Sequence, residues 1–244
     1  MRIGILSDIH SNVEALVAVL RKAEELKIDR IISLGDVVGY GASPEECCHL
    51  IRSNTELALL GNHDAAVVGR MDYSYYYGAA RQVLDWTATV LSEDNFRWLS
   101  SLPYTYRYGE DILYSHGAPF EPQAYEYVFS AEQIKHLLSE TLALPRLSFV
   151  GHSHLCKVFR VCDGEVEERH ETVFELEPAA HYLISVGSVG QPRDYDNRSC
   201  FVVLDEAAQR IEFIRVEYDI TTAAQKILDA SLAFSFANRL VLGI

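Results

Sequence analysis

Apolar and polar positions show two different patterns along the first third of the chain: short apolar runs and apolar positions at helical spacing. Three short apolar runs predict strands: Arg2–Ser7, Arg30–Leu34 and Leu57–Leu60. Between the first two, Asn12–Leu26 repeats its apolar positions at helical spacing, with Asn12 as the expected N-cap. A second helix is expected to open at Ser43-Pro44, because proline is favoured at the first helical position. Strands that alternate with helices at this spacing predict βαβ units and a sheet buried on both faces.

The pattern changes after Asp64. Helical periodicity predicts further helices over Tyr75–Leu91, Glu93–Leu102, Ala131–Leu144 and Thr221–Ala233. Apolar runs predict further strands at Thr105–Tyr108, Ile112–Ser115, Leu147–Val150, Lys157–Val161, Val173–Leu176, Tyr182–Val186, Cys200–Leu204 and Ile211–Val216. The later strands lie close together, with turns such as Asp163-Gly164, which is typical of antiparallel hairpins. We therefore predict a layered α/β sandwich in a single domain over residues 1–244, with residues 73–102 as a candidate cap.

Charge and composition narrow the functional classes. The formal net charge is −14, which repels nucleic-acid backbones and anionic membranes and argues against a broad phosphate-binding face. No apolar stretch approaches the length of a membrane span, and the run Ile3–Leu6 is too short for a signal peptide. The five cysteines lack a CxxC pair, which is typical of free thiols in a reducing compartment. A cytoplasmic protein is therefore expected.

Short polar motifs follow five of the apolar runs. They are Ser7-Asp8-Ile9-His10, Gly35-Asp36-Val37-Val38-Gly39, Gly61-Asn62-His63-Asp64, Ser115-His116-Gly117 and Gly151-His152-Ser153-His154. Ligands of open α/β sheets bind at the carboxyl ends of strands, so one edge of the fold is expected to gather all five motifs. Carboxylate, imidazole and amide groups suit Mn, Fe, Zn or Ni better than a metal that prefers thiolates.

Taken in order, the motifs DxH, GDxxG, GNHD, His-Gly and GHxH resemble those of the calcineurin-like metallophosphoesterase superfamily. The resemblance spans about Arg2 to His154, and the segment Gly187–Arg193 resembles the small bacterial phosphodiesterase branch. The protein Ser/Thr phosphatases of the superfamily normally carry GDxxDRG and GNHE, where this chain has Gly39-Tyr40-Gly41 and Asp64, so that branch fits less well. The implied fold is an α/β/β/α sandwich of two mixed sheets flanked by helices.

The resemblance also implies roles for individual residues. A first metal ion would be held by Asp8, His10, Asp36 and His154, and a second by Asp36, Asn62, His116 and His152, with Asp36 as the bridge. The two ions are expected to be divalent transition metals, with Mn preferred and Fe, Zn or Ni as alternatives. His63 would be the catalytic residue, stabilising developing charge or protonating the leaving oxygen. Asp64 is expected to orient His63 or a ligand histidine.

The substrate side of the site is less specific. Arg193 follows a glycine turn and a proline, and it is predicted to bind a substrate phosphate; the alternative is an ion pair with Asp194 or another nearby carboxylate. The tyrosines at 73, 75, 76 and 77 either form an aromatic wall for the substrate or pack a helix onto its sheet. The apolar C-terminus, from Leu232 to Ile244, is expected to pack on the core or on another copy in a homo-oligomer.

The expected activity is hydrolysis of a small phosphorylated substrate by a metal-activated water. A phosphodiester is preferred over a monoester on the branch resemblance alone. A nucleotide anhydride such as a dinucleoside polyphosphate is an alternative substrate, because the metal clamp and the water would be the same. A non-catalytic scaffold is the alternative from another class. Scaffolds of this superfamily have typically lost the substrate-facing histidine or several ligands, whereas this chain fills each of those positions.

Overall fold

The computed structural model describes residues 1–140 and 144–244, which form two six-stranded sheets and the helices around them. The strands are β1 (Arg2–Leu6), β2 (Arg30–Ser33), β3 (Leu57–Ala58), β4 (Thr105–Tyr108), β5 (Ile112–Ser115), β6 (Leu147–Val150), β7 (Cys156–Cys162), β8 (Glu165–Arg169), β9 (Val173–Glu175), β10 (His181–Val186), β11 (Ser199–Asp205) and β12 (Arg210–Val216). The helices are α1 (Val13–Glu25), α2 (Pro44–Asn54), α3 (Asn62–Val67), α4 (Gly78–Val90), α5 (Glu93–Ser101), α6 (Ala131–Glu140), α7 (Ile220–Asp229) and α8 (Phe234–Leu242), with a 3₁₀ turn at Pro122–Ala124.

Both sheets mix parallel and antiparallel strands. The first has the order β3-β2-β1-β11-β12-β9, in which β1, β2 and β3 run parallel and β11 joins antiparallel to β1. The second has the order β4-β5-β6-β10-β7-β8, with β5, β6 and β10 parallel at its centre. The strands that precede the five motifs are therefore the parallel strands, whose carboxyl ends lie at one edge of each sheet.

The main apolar core lies between the two sheets. Ile5 and Ile32 of the first sheet belong to the same buried cluster as Tyr114, Phe149 and Ile184 of the second. The outer face of the first sheet is covered by α1 to α5, and the outer face of the second by α6. The expected α/β/β/α sandwich of two mixed sheets flanked by helices is confirmed. None of the helices in the described part of the chain has the length and apolarity that a bilayer span requires.

Local signals place most elements where the pattern predicts them. Asn12 caps α1, because its side chain accepts a hydrogen bond from the Ala15 backbone nitrogen over 3.1 Å. The helix predicted over Ala131–Leu144 is seen as α6, and its predicted portion at 141–143 lies outside the described residues. The cysteines are free thiols, as expected.

Three elements do not follow from the pattern. Strand β8 reads EVEER, so its charged edge residues hide the alternation that predicts a strand. Helix α3 has six residues within the GNHD block, which is too short for helical periodicity to register. The helix predicted over Thr221–Ala233 ends at Asp229, and a separate helix, α8, follows and ends at Gly243 in left-handed backbone.

The C-terminal helices pack on the core next to the GDVVG turn. Phe236 and Leu240 of α8 are buried with Ile227 of α7 and Val83 of α4, and the Phe236 ring lies 4.9 Å from that of Tyr40. From the sequence, the apolar C-terminus is expected to pack on the core or on another copy of the chain. Its buried face packs on the core. Phe234, Val241 and Leu242 remain exposed on the other face.

Candidate metal centre

The turns that carry the candidate ligands have unusual backbone conformations. Five candidate ligands have positive φ: Asp8 (54°), His10 (48°), Asp36 (51°), His152 (64°) and His154 (59°). Non-glycine residues in this region cost of order 1–3 kcal/mol each and cluster at functional sites. The backbone at these strand ends therefore lowers the stability of the fold, which is typical of functional sites.

Backbone hydrogen bonds hold these turns against one another. The Asp8 nitrogen donates to the Gly35 carbonyl over 3.0 Å, and the His10 nitrogen donates to the Asp36 carbonyl over 2.9 Å. In the second sheet, the Gly151 nitrogen donates to the His116 carbonyl over 2.8 Å. The segment after β10 ties the two sheets together, because the Val189 nitrogen donates to the Ser7 carbonyl over 2.9 Å. All five motifs consequently meet at one edge of the sandwich.

Two glycines permit this close approach. A Cβ atom at Gly61 would overlap the backbone nitrogen and carboxylate of Asp36, and a Cβ atom at Gly151 would overlap the hydroxyl of Ser7. Any side chain at either position would push two motifs apart. The glycines of the GNHD and GHSH motifs are therefore explained by packing of the turns.

The first cluster joins Asp8, His10 and His154, whose ligand atoms lie within 4.8 Å of one another. The Nε2 atoms of His10 and His154 are 3.1 Å apart, and His154 Nε2 lies 3.3 Å from Asp8 Oδ1. Asp36 Oδ2 is 3.6 Å from His10 Nε2, so its carboxylate reaches this cluster too. The three side chains of the cluster are buried.

The second cluster joins Asp36, His116 and His152 within the same 4.8 Å limit. Asp36 Oδ2 lies 3.4 Å from His116 Nε2, and Asn62 Oδ1 lies 3.1 Å from that same nitrogen. Asp36 thus faces both clusters, as the sequence-based assignment of a bridging carboxylate requires. The structure brings all seven candidate ligands together.

Backbone carbonyls orient three of the imidazoles. The Nδ1 atoms of His10, His116 and His154 donate to the carbonyls of Val38 (3.2 Å), Leu34 (3.0 Å) and Gln191 (2.6 Å), respectively. When these rings are neutral, their proton is therefore on Nδ1, and Nε2 faces the centre of the site as the nitrogen that can bind a metal. Sequence reasoning missed Gln191 as an orienting residue, although it lies in the Gly187–Arg193 segment that was singled out.

The electrostatics of the cluster are dominated by burial and by Asp36. Burial holds the pKa values of His10, His152 and His154 well below the usual range, so these imidazoles are neutral at pH 7. Burial also lowers the pKa of His116, but the carboxylates of Asp36, Asp8 and Asp64 together outweigh it and raise that pKa to about 9. Burial and the neighbouring Asp36 raise the pKa of Asp8 to about 6, although the nearby His116 opposes them.

The donor set fits two divalent cations. Asp8 Oδ1 is buried and has no hydrogen-bond partner, which is costly for an isolated carboxylate oxygen. The facing Nε2 atoms of His10 and His154 likewise present lone pairs to each other at 3.1 Å, an arrangement that a cation between them would satisfy. Oxygen and imidazole donors of this kind suit divalent first-row transition metals.

His63 lies beside both clusters, next to His10 and Asp36. Its backbone nitrogen donates to Asp36 Oδ1 over 2.8 Å, and its ring lies 4.8 Å from that of His10 and 4.4 Å from that of Tyr40. Its Nδ1 atom is buried and has no hydrogen-bond partner. Burial lowers the pKa of His63 to about 4, so the imidazole is neutral at pH 7. His63 also lies within 4.8 Å of His10 and Asp36, so geometry alone would allow it to be a ligand.

Asp64 has a different role from the one expected. Its carboxylate accepts hydrogen bonds from the backbone nitrogens of Val38 (3.0 Å) and Gly61 (3.1 Å) rather than orienting His63. It thereby ties the start of α3 to the GDVVG turn. Burial and the proximity of Asp36 raise the pKa of Asp64 to about 7.

Arg193 is half-buried beside the cluster. The ion pair with Asp194 considered from the sequence is not formed, because Asp194 pairs with Arg215. Instead, Arg193 Nη2 donates to the Gln191 side chain over 3.1 Å, and the guanidinium lies 5.7 Å from the ring centroid of Tyr40. Its Nε atom has no hydrogen-bond partner.

Residues 1–209 match the sequence family described as the calcineurin-like phosphoesterase superfamily domain. The chain belongs to this superfamily. A relative among curated proteins, the uncharacterized protein MJ0912 of Methanocaldococcus jannaschii, is 40% identical over 246 residues, which cover 99% of this chain and 98% of the relative.

Solved structures agree with this assignment. This superfamily member is 34% identical to a metallophosphoesterase from Sphaerobacter thermophilus, with a TM-score of 0.85 and coverage of 100% of this chain and 99% of the other. The hypothetical protein PH1004 from Pyrococcus horikoshii OT3 shares the fold with a TM-score of 0.76 at 19% identity, covering 100% of this chain and 98% of that one.

Proposed function

We propose that the chain is a two-metal hydrolase of phosphate esters, and that its substrates are small phosphodiesters. The observation that carries the proposal is the position of Asp36, whose carboxylate reaches both the Asp8–His10–His154 cluster and the Asp36–His116–His152 cluster. One carboxylate shared by two ligand groups is the arrangement that a dinuclear hydrolytic site needs.

The proposed ligands are Asp8, His10, Asp36 and His154 for one cation, and Asp36, Asn62, His116 and His152 for the other. When bound, such cations would supply Lewis-acid activation of the phosphoryl group and of the water nucleophile. The chain contributes the rest: fixed ligand orientation through backbone carbonyls, and a buried setting in which charge interactions are strong.

His63 is proposed to assist the leaving group as a neutral hydrogen-bond donor. Its buried Nδ1 has no partner in the protein, and its pKa of about 4 keeps the ring neutral at pH 7. A neutral imidazole donates one N–H and stabilises negative charge that develops on the departing oxygen. This supports the first of the two roles considered for His63, charge stabilisation, over protonation by an imidazolium.

Arg193 is proposed to bind a non-bridging oxygen of the phosphate. Its guanidinium is half-buried, faces the aromatic ring of Tyr40 and keeps an unpartnered Nε–H. One such cation suits the single negative charge of a phosphodiester. A dinucleoside polyphosphate carries several more charges, which one guanidinium would leave unpaired, so the anhydride alternative is the weaker proposal.

The test is a comparison of substrates at equal concentrations of Mn²⁺-loaded protein. We expect kcat/KM for bis(p-nitrophenyl) phosphate to exceed that for p-nitrophenyl phosphate. Hydrolysis of the monoester alone would replace the diester proposal, and hydrolysis of a dinucleoside polyphosphate alone would favour the anhydride alternative. Absence of turnover on all three, with both cations bound, would favour the non-catalytic scaffold.

A further inference from the structure

A cavity of about 430 Å³ opens beside the metal centre, within the size range of about 300–1,000 Å³ that is usual for ligand sites. It is called here the tyrosine pocket. Three motif residues, Asn62, His63 and His152, form the side nearest the clusters. Six tyrosines make up most of the remaining lining: Tyr40, Tyr75, Tyr76, Tyr77, Tyr125 and Tyr127. The described residues contribute no Asp, Glu, Lys or Arg to this lining.

Three of the tyrosines pack against, or form hydrogen bonds with, residues in or next to the motifs. Tyr40 packs against the rings of His10 and His63, and the Tyr76 hydroxyl accepts a hydrogen bond from the Asn62 amide over 2.8 Å. The hydroxyl of Tyr125 donates to the Leu60 carbonyl over 3.2 Å. These rings form a fixed wall, and their replacement would disturb the metal centre.

The other three tyrosines are exposed despite their large apolar rings. Tyr75, Tyr77 and Tyr127 are 71%, 52% and 40% exposed, respectively. They come from two segments, one just before α4 and one after β5. Exposed aromatic rings that gather around one cavity mark a surface prepared for a partner, whereas single exposed rings are common and need no explanation.

Stacking gives the pocket a rigid side. Tyr127 lies parallel to His152 with ring centroids 3.9 Å apart and 19° between the planes, and parallel to Phe129 at 4.9 Å and 12°. Tyr75 meets Tyr76 edge-on, at 5.0 Å and 80°, which leaves much of the Tyr75 ring exposed. The exposed faces of such rings can stack on a flat aromatic group, and the described lining offers no charged side chain that would pair with an ionic one.

We propose that the tyrosine pocket binds a flat, uncharged aromatic group of the substrate, with Tyr75 and Tyr77 as its stacking surface. This inference rests on the proposed function, because the ester phosphate is taken to lie against Asn62, His63 and His152 at the adjoining clusters. The shared chemistry is an aromatic ring attached to a phosphate, and the ring is either a nucleobase or a simple aryl group.

The experiment is calorimetric titration of the Mn²⁺-loaded protein with phenylphosphonate and with methylphosphonate. The titrations are run above the second pKa of both acids, where the two phosphonates are dianions of equal charge, and their carbon–phosphorus bonds are not esters. We expect phenylphosphonate to bind about 5- to 150-fold more tightly, the range typical of one stacked ring. Adenosine 5′-monophosphate against ribose 5-phosphate, each checked for intact phosphate afterwards, distinguishes a nucleobase from an aryl group.

Variants assign the effect to the tyrosines. Tyr75→Ala and Tyr77→Ala should each reduce the preference for phenylphosphonate, whereas Tyr75→Phe should retain it because the ring remains. Tyr108→Ala is the matched control, since Tyr108 is an exposed tyrosine on β4 that lines a different cavity. Melting curves establish that each variant is folded before it is titrated.

Equal affinities of wild type for the two phosphonates would overturn the proposal, as would an equal loss in Tyr75→Ala and Tyr108→Ala. The outcome is separable from that of the proposed function. Ring preference in a protein that hydrolyses no ester would support the pocket and refute the activity. Ester hydrolysis without ring preference would refute the pocket and leave the activity standing.

Discussion

The side-chain amide of Asn62 donates a hydrogen bond to the hydroxyl of Tyr76 over 2.8 Å, while its carbonyl oxygen lies 3.1 Å from His116 Nε2. The hydrogen bond therefore fixes which end of the amide faces the metal clusters. It also couples the metal centre to the tyrosine pocket, because Tyr76 lines that cavity.

Tyr76→Phe removes this hydrogen bond and keeps the ring. Partners that orient metal ligands typically contribute 10- to 100-fold to metal affinity, so we expect Mn²⁺ binding at the second site to weaken by about tenfold. Metal titration of stripped protein measures it. Tyr106→Phe, at an exposed tyrosine on β4, is the control. An unchanged second-site affinity in Tyr76→Phe would show that the amide does not depend on this hydroxyl.

His63→Ala tests the substrate-facing role of His63. We expect turnover of bis(p-nitrophenyl) phosphate to fall by about 10²–10³-fold, the usual contribution of one hydrogen-bond donor directed at developing negative charge. Metal content should stay at the wild-type level, because the proposed ligands are all retained. A parallel loss of metal would instead make His63 a ligand, the alternative that its closeness to His10 and Asp36 allows.

Arg193→Gln tests phosphate binding by the guanidinium. Loss of one hydrogen bond to a charged group costs about 1.5–3 kcal/mol, so we expect KM to rise by about 10- to 100-fold with bound metal unchanged. The control is Arg210→Gln, because Arg210 is an exposed residue at the start of β12 that pairs with Glu212. A KM that shifts no more in Arg193→Gln than in the control would remove Arg193 from the substrate site.

Gly61→Ala tests the packing of the turns. The added methyl group would overlap the backbone and carboxylate of Asp36, and overpacking of this kind costs about 1–3 kcal/mol. We expect a lower melting temperature together with weaker binding of both metal ions. Gly78→Ala is the matched control, since its Cβ atom would meet nothing within 4 Å. Similar melting temperatures for the two variants would mean that the turn at Gly61 relaxes freely.

The strand-end motifs could be predicted from the sequence because parallel strands bring their carboxyl ends to one edge. Asp8 follows β1, Asp36 follows β2 and His116 follows β5, so alternation of strands and helices was enough to place them together. The α/β/β/α layers followed from the same alternation together with the resemblance. The single-domain assignment and the cap over 73–102 stay predictions.

Contacts between distant loops could not be predicted in this way. The stack of Tyr127 on His152 and the approach of Arg193 to Tyr40 depend on how irregular segments cross, which no periodicity encodes. Asp64 shows the same limit. Its place in the GNHD motif suggested a histidine partner, yet the short helix α3 turns its carboxylate toward the Val38 and Gly61 nitrogens.

The central claim is that two cations sharing Asp36 carry the hydrolysis. Asp36→Asn tests whether both cations depend on this carboxylate. The substitution keeps the size of the side chain and removes the charge that both clusters face. We expect both metal ions to bind more weakly, whereas Asp163→Asn, at an exposed turn position, should bind two ions like wild type. Loss of only one ion from Asp36→Asn would contradict the bridging role.

The most direct measurement is turnover of bis(p-nitrophenyl) phosphate by stripped wild-type protein during titration with Mn²⁺. The account predicts negligible turnover without metal and a rate that rises until two equivalents are bound. A full rate in the presence of a chelator, or no turnover of this or any other phosphate ester with two ions bound, would contradict it.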